Sequence, residues 1–127
     1  MNKKIYIFGN PLLPFDSLPL KLAPRLQAAL PDLEFIVTDP NENLKPINKE
    51  LFIIDTIEGI EEVVVINDVD KIKSERIYSL HDFDLGYNLK LLQKLGELEK
   101  VKIIGVPMAG NEEKIFERLL EKIKETA

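Results

Sequence analysis

Asp16, Asp39, Asp55 and His81, the only histidine, each follow a short apolar run in this sequence of 127 residues. Ile5-Tyr6-Ile7-Phe8 leads through Gly9-Asn10 towards Asp16, Leu33–Thr38 runs into Asp39, and Leu51-Phe52-Ile53-Ile54 runs directly into Asp55. His81-Asp82 comes after Val63–Ile66 and ahead of a leucine-rich stretch. In open α/β sheets ligands bind beyond the carboxyl ends of the strands, so a parallel topology can bring residues in these positions to one rim. Asp16, Asp55 and His81 would supply two hard carboxylate ligands and one imidazole, with positions left open for a substrate or a water molecule. Such a set takes Ni, Zn, Fe or Mn, and the stability order of divalent metals does not choose among them.

Each residue also has a purely structural role to set against this one. Asp16 fits a helix N-cap, Asp39 ahead of Pro40 fits a turn, and a lone histidine is commonly a surface residue. Asp55 resists such an explanation, because an acid that continues four apolar strand residues is costly to bury without a partner. Other templates fail. Gly9-Asn10-Pro11 is not a phosphate cradle, and neither a Walker lysine nor a Gly-x-Ser-x-Gly pattern occurs. A single histidine excludes a His-Glu-x-x-His zinc helix.

The elements that must position these residues follow from the apolar periodicity. Residues 4–8, 33–38, 51–54, 63–66 and 101–106 read as strands. Residues 72–78 read as a further strand, antiparallel to 62–66 across the short Asn67-Asp68 turn. The runs at 51–54 and 63–66 do not alternate, which predicts central strands covered on both faces. Leu18, Leu22, Leu26, Ala29 and Leu30 predict a helix capped by Asp16 or Ser17, with a kink at Pro24 or a start only after it. Leu85, Leu89, Leu92 and Leu95 predict a second helix, capped by Asp84 and stopped at Gly96. Asn111 opens a last helix that buries Ile115, Phe116, Leu119, Leu120 and Ile123. This order predicts a three-layer α/β/α sandwich around an open, mostly parallel five- or six-stranded sheet, formed by a single domain over residues 1–127.

Composition narrows the chemistry. Lys and Arg number 17 against 22 Asp and Glu, a net charge of −5, which argues against a nucleic-acid binder because no basic excess is present to release phosphate counterions. With no cysteine, disulfides, thiol nucleophiles and thiolate zinc sites are excluded together, so any metal must sit on oxygen and imidazole. Gly9-Asn10 breaks the first apolar run before a signal peptide could form, and no stretch approaches the ~20 apolar residues of a membrane span. A cytoplasmic protein without membrane contact is expected.

At the same residues the sequence resembles the hydrogenase maturation endopeptidases, which trim the C-terminus of the nickel-loaded large subunit of [NiFe] hydrogenase. Members have a strand running into Gly-Asn-x-Leu and then an acidic pair and a glycine; here stand Gly9-Asn10-Pro11-Leu12 and, after Leu13-Pro14-Phe15, Asp16-Ser17. Leu51-Phe52-Ile53-Ile54-Asp55-Thr56 is similar to their aliphatic run into Asp and a small residue, and Ser79-Leu80-His81 to their Ser-x-His before a leucine-rich helix. Val101–Pro107 resembles their late strand towards Gly and Pro. The resemblance implies an endopeptidase that acts on the large-subunit precursor, with Asp16, Asp55 and His81 as ligands of the Ni²⁺ that the precursor carries. Another divalent metal could occupy them in isolation. Asp39 becomes a helper in proton movement. Phe15 stands where the family has its first acid, and Ser17 and Pro19 where it has glycines. These departures motivate an alternative, a non-catalytic metal- or precursor-binding maturation factor on the same scaffold.

Overall fold

The computed structural model describes residues 3–9, 17–38, 46, 48–67, 78–79 and 89–126. Strands β1 (Lys3–Phe8), β2 (Leu33–Thr38), β3 (Glu50–Glu58), β4 (Val64–Ile66), β5 (Tyr78–Ser79) and β6 (Lys100–Pro107) form one sheet. Its order is β2-β1-β3-β6-β4, with β5 paired to β3 outside this path. The β1–β2, β1–β3 and β3–β6 pairs are parallel, whereas β4 runs antiparallel to β6 and β5 antiparallel to β3. Helices α1 (Leu18–Ala29) and α3 (Glu112–Thr126) pack on one face, and the helical residues 89–94, α2, on the other. The arrangement is the expected three-layer α/β/α sandwich with a mostly parallel sheet.

Alternation along the central strands divides the core. Ile5, Ile7, Ile54, Ile104 and Val106 meet Leu22, Leu26, Leu119 and Ile123 on the α1/α3 face. Phe8, Ile53, Ile57 and Ile103 meet Leu89 and Leu98 on the α2 face. Residues 51–57 of β3 are all buried, which explains their unbroken apolar run: the strand has parallel neighbours on both sides and helices above and below.

Val64–Ile66 departs from the expected central position and forms an edge strand. A parallel return from β3 needs a crossover of a dozen or more residues, and residues 59–63 are too few. Gly59, at φ +84°, turns the chain back instead, and β6 occupies the place between β3 and β4. The strand expected at 72–78 also finds a different partner, since Tyr78–Ser79 pairs with Ile57–Glu58 of β3 and not with 62–66; residues 72–77 lie outside the described residues.

α1 runs unbroken from Leu18, so the helix does not wait for Pro24. Pro19 lies in the first turn, where its missing donor costs nothing, and Pro24 is exposed and forfeits only the bond to the Leu20 carbonyl. In α2, Leu89 is buried but Leu95 is 63 % exposed, against the expected apolar face. The cause is the helix end: Glu97 and Leu98 both donate their backbone N–H to the Leu92 carbonyl around Gly96 at φ +75°, and Leu98 enters the core in place of Leu95. Asp84 and Leu85 lie outside the described residues. α3 begins as expected, with the Asn111 Oδ1 accepting from the Lys114 N–H at 3.1 Å.

Two contacts join neighbouring elements. Arg25 on α1 reaches Glu113 on α3 through two hydrogen bonds of 3.0 and 2.9 Å and stacks over Phe116 at 4.0 Å from its centroid. Within the sheet, Gly105 of β6 leaves room for Ile57: a Cβ there would overlap Ile57 Cδ1 and lie 3.0 Å from Val64 Cγ2.

Gly105→Ala is therefore expected to destabilise the fold by about 1–3 kcal/mol in urea unfolding, as overpacking does. In the double variant with Ile57→Val, which removes the obstructing methyl, the combined loss is expected to fall short of the sum of the single losses. The second expectation concerns pH. The Arg25 hydrogen bond and charge hold the Glu113 carboxyl below the usual carboxylate range, and Glu113 raises Arg25. A carboxyl depressed on folding stabilises above its unfolded pKa and loses that contribution as pH falls through the depressed value. The melting temperatures of wild type and Glu113→Gln should differ at neutral pH, converge in strong acid, and approach one another at high salt.

Candidate functional site

Asp55 sits in the middle of the sheet, in a row set by the strand register. Thr38 pairs with Phe8, Asp55 with Gly105, and Gly105 with Val64. Because Ile7 pairs with Ile54, Phe8, the last residue of β1, stands level with Asp55. On that side β1 therefore ends at the level of Asp55, and β5 takes its place beside Ile57 and Glu58. On the other side β6 pairs with β3 as far as Ile57, opposite Pro107. The sequence suggested that the third strand ends at Asp55; it continues to Glu58, because β5 and β6 prolong the pairing that β1 gives up.

The side chain of Asp55 is fully buried, on the sheet face shared by Ile53 and Ile57. Its register partner Gly105 brings no side chain against it. A carboxylate so placed has lost its hydration and must be hydrogen-bonded or paired. One such bond is local: the Thr56 N–H donates to Asp55 Oδ1 at 2.8 Å. Strand alternation sends Thr56 to the opposite face, where Oγ1 is buried with no hydrogen-bond partner among the described residues. This hydroxyl is a polar feature that the sequence reading took only as the small residue after Asp55. The available signal was a hydroxyl inside an otherwise aliphatic strand.

Asp16, Asp39 and His81 lie outside the described residues, so of the four residues singled out in the sequence the structure describes Asp55. Among the described residues no group of three or more acidic or histidine side chains is arranged to hold a metal ion. Their described neighbours do share one end of the sheet. Thr38, before Asp39, closes β2 in the row of Asp55. Ser79, two residues before His81, pairs with Ile57. Ser17, after Asp16, opens α1, which returns from the carboxyl end of β1. The N-cap of that helix falls on Ser17, not on Asp16, and makes no side-chain cap bond.

A cleft of about 640 Å³ lies at the opposite, amino end of the strands, between Lys3, Lys4, Lys100, Lys102, Glu34 and Glu50. It contains none of the residues singled out in the sequence, and the carboxyl end is where open α/β sheets bind ligands. No helix among the described residues is long and apolar enough to cross a membrane.

A model of the hydrogenase maturation protease family matches residues 38–127. The chain belongs to this family of peptidases. The matched span holds Asp39, Asp55 and His81, and Asp16 precedes it. Among solved structures, a hydrogenase 3 maturation protease is 20 % identical, with 94 % of this chain and 88 % of that one covered at a TM-score of 0.63. An uncharacterized protein from Wolinella succinogenes is 14 % identical, with 98 % and 96 % covered at a TM-score of 0.60. At these identities the likeness is one of fold. No curated protein sequence matches the chain.

The hydroxyl of Thr56 gives the structural prediction for this site. An unsatisfied buried hydroxyl costs about 1–3 kcal/mol, so Thr56→Val, which keeps the shape and removes the orphan oxygen, should unfold at a urea concentration no lower than wild type.

Proposed function

We propose that this member of the hydrogenase maturation protease family is a nickel-dependent endopeptidase that removes the C-terminal extension from the large-subunit precursor of a [NiFe] hydrogenase. The observation that carries the reading is the family match over residues 38–127. The burial of Asp55 at the level where β1 ends gives it chemical support, because a carboxylate withdrawn from water gains from a cation that satisfies its charge. On this reading Asp16, Asp55 and His81 complete the coordination of the Ni²⁺ that arrives in the precursor, so the ion is part of the substrate. Two carboxylates and a neutral imidazole suit such a borderline ion and leave positions for the ligands of the precursor. Held by these residues, the ion would dock the precursor and would polarise the scissile carbonyl or orient a water molecule. Asp39, which follows Thr38 in the sequence, assists in moving a proton. The precursor is the macromolecular partner, and the cytoplasm the compartment.

The test follows the mass of nickel-loaded and nickel-free precursor incubated with the protein. A C-terminal fragment should be released from the nickel-loaded precursor alone. Asp55→Asn should slow its release more than the 10–100-fold that loss of an outer-shell partner typically costs, with Asp16→Asn and His81→Ala doing the same. Circular-dichroism melts check that the Asp55 variant folds. Equal cleavage of nickel-free precursor would overturn the nickel dependence. Binding of nickel-loaded precursor with no fragment released would favour the non-catalytic maturation factor.

A further inference from the structure

Among the described residues, the edge of the sheet formed by β2 is blocked along one half and open along the other. β2 ends the strand order, so its outer side has no strand partner among the described residues. Successive strand residues direct their backbone groups to opposite sides, and Leu33, Phe35 and Val37 direct theirs outward. The amino half of this outer side is occupied. Leu33 N–H donates to the Leu30 carbonyl at 3.1 Å, Gln27 Nε2 donates to the Leu33 carbonyl at 2.7 Å, and Phe35 N–H donates to Gln27 Oε1 at 3.1 Å. The Gln27 amide thus mimics a neighbouring strand for two residues and then stops. Beyond it lie the Phe35 carbonyl and both backbone groups of Val37, whose side chain is 58 % exposed.

Proteins ordinarily guard an exposed edge with a charge, a proline or a bulge. The sequence Phe35-Ile36-Val37-Thr38 carries neither a charge nor a proline. The unguarded half also lies beside the candidate site, since Thr38 stands in the row of Phe8 and Asp55. Guarding the distant half alone is what a recognition edge requires and what general protection against aggregation does not.

We propose that this open half-edge is the docking strand for the protein substrate: an extended segment of the precursor beside its scissile bond pairs with Phe35 and Val37, as peptides add to other exposed sheet edges. The inference rests on the processing function proposed above. Backbone pairing at Val37 holds the segment in an extended form at the rim, and Gln27 sets the register by ending the available ladder.

The probe is a fluorescein-labelled synthetic peptide that spans the cleavage region of the large-subunit precursor from the same organism, with cleavage of the nickel-loaded precursor measured in parallel. Val37→Pro removes the outward N–H and leaves the inward bonds of Ile36 and Thr38 to β1. It should weaken peptide binding about fivefold or more and raise KM for the precursor with little change in kcat, whereas Val37→Ala should change neither by more than about twofold. Hydrogen exchange on the wild type, which needs no variant to fold, should slow at the Val37 amide when peptide is added and stay unchanged at Leu33 and Phe35. Normal cleavage with an unprotected Val37 amide, or with an unchanged KM in Val37→Pro, would overturn the docking edge alone. Failure of the wild type to bind or cleave any precursor would remove the processing function and this inference together. A concentration-dependent dimer abolished by Val37→Pro, with no effect of peptide, would assign the edge to a second copy of the chain instead.

Discussion

β3 has hydrogen-bonded neighbours on both sides and helices above and below, so whatever polar group it carries must be satisfied inside the protein or cost stability. Seven consecutive residues of this strand, 51–57, are buried, and two of them, Asp55 and Thr56, are polar. Removing a carboxylate from water costs several kcal/mol unless hydrogen bonds or a partner charge offset it. The strand therefore acts as a rigid mount that presents one acid at a fixed height, level with the end of β1. The Gly105 gap, the side chain of Ile57 laid across it, and the antiparallel return of β4 all serve to keep that strand in register.

Most of the scaffold was legible in the sequence because its signals are local. The unbroken apolar run of 51–54, the alternation at 33–38 and the amphipathic repeat of α3 each reflect how a short segment meets its own surroundings. Features that depend on distant chain were not legible. Nothing within Val63–Ile66 says that β6 will come between it and β3, and its apolar character fits an edge as well as a centre once Val63 and Ile66 reach opposite faces. Leu95 lost its place in the core because Gly96 lets the chain turn and Leu98 fill the space, a choice made outside the helical repeat.

For the candidate site, the burial of Asp55 was legible through an energetic conflict: it breaks an apolar run whose burial is otherwise complete. Thr56 escaped notice since a threonine is at home in strands, and only its surroundings reveal that its hydroxyl has no partner among the described residues. Gln27 escaped for a similar reason. A glutamine in an amphipathic helix reads as solvated surface, and its bonds to Leu33 and Phe35 exist only because α1 packs along the edge of the sheet.

The position of β6 between β3 and β4 also bears on how the chain emerges from the ribosome. β1, α1, β2 and β3 can assemble from the first half of the polypeptide, but β4 finds its one strand partner among the described residues when residues 100–107 have been made. Nascent chains therefore carry a short apolar strand for the time needed to synthesise about forty further residues, several seconds at ordinary elongation rates. Closure of the far side of the sheet is a late, long-range event, and completion of β3 waits upon it.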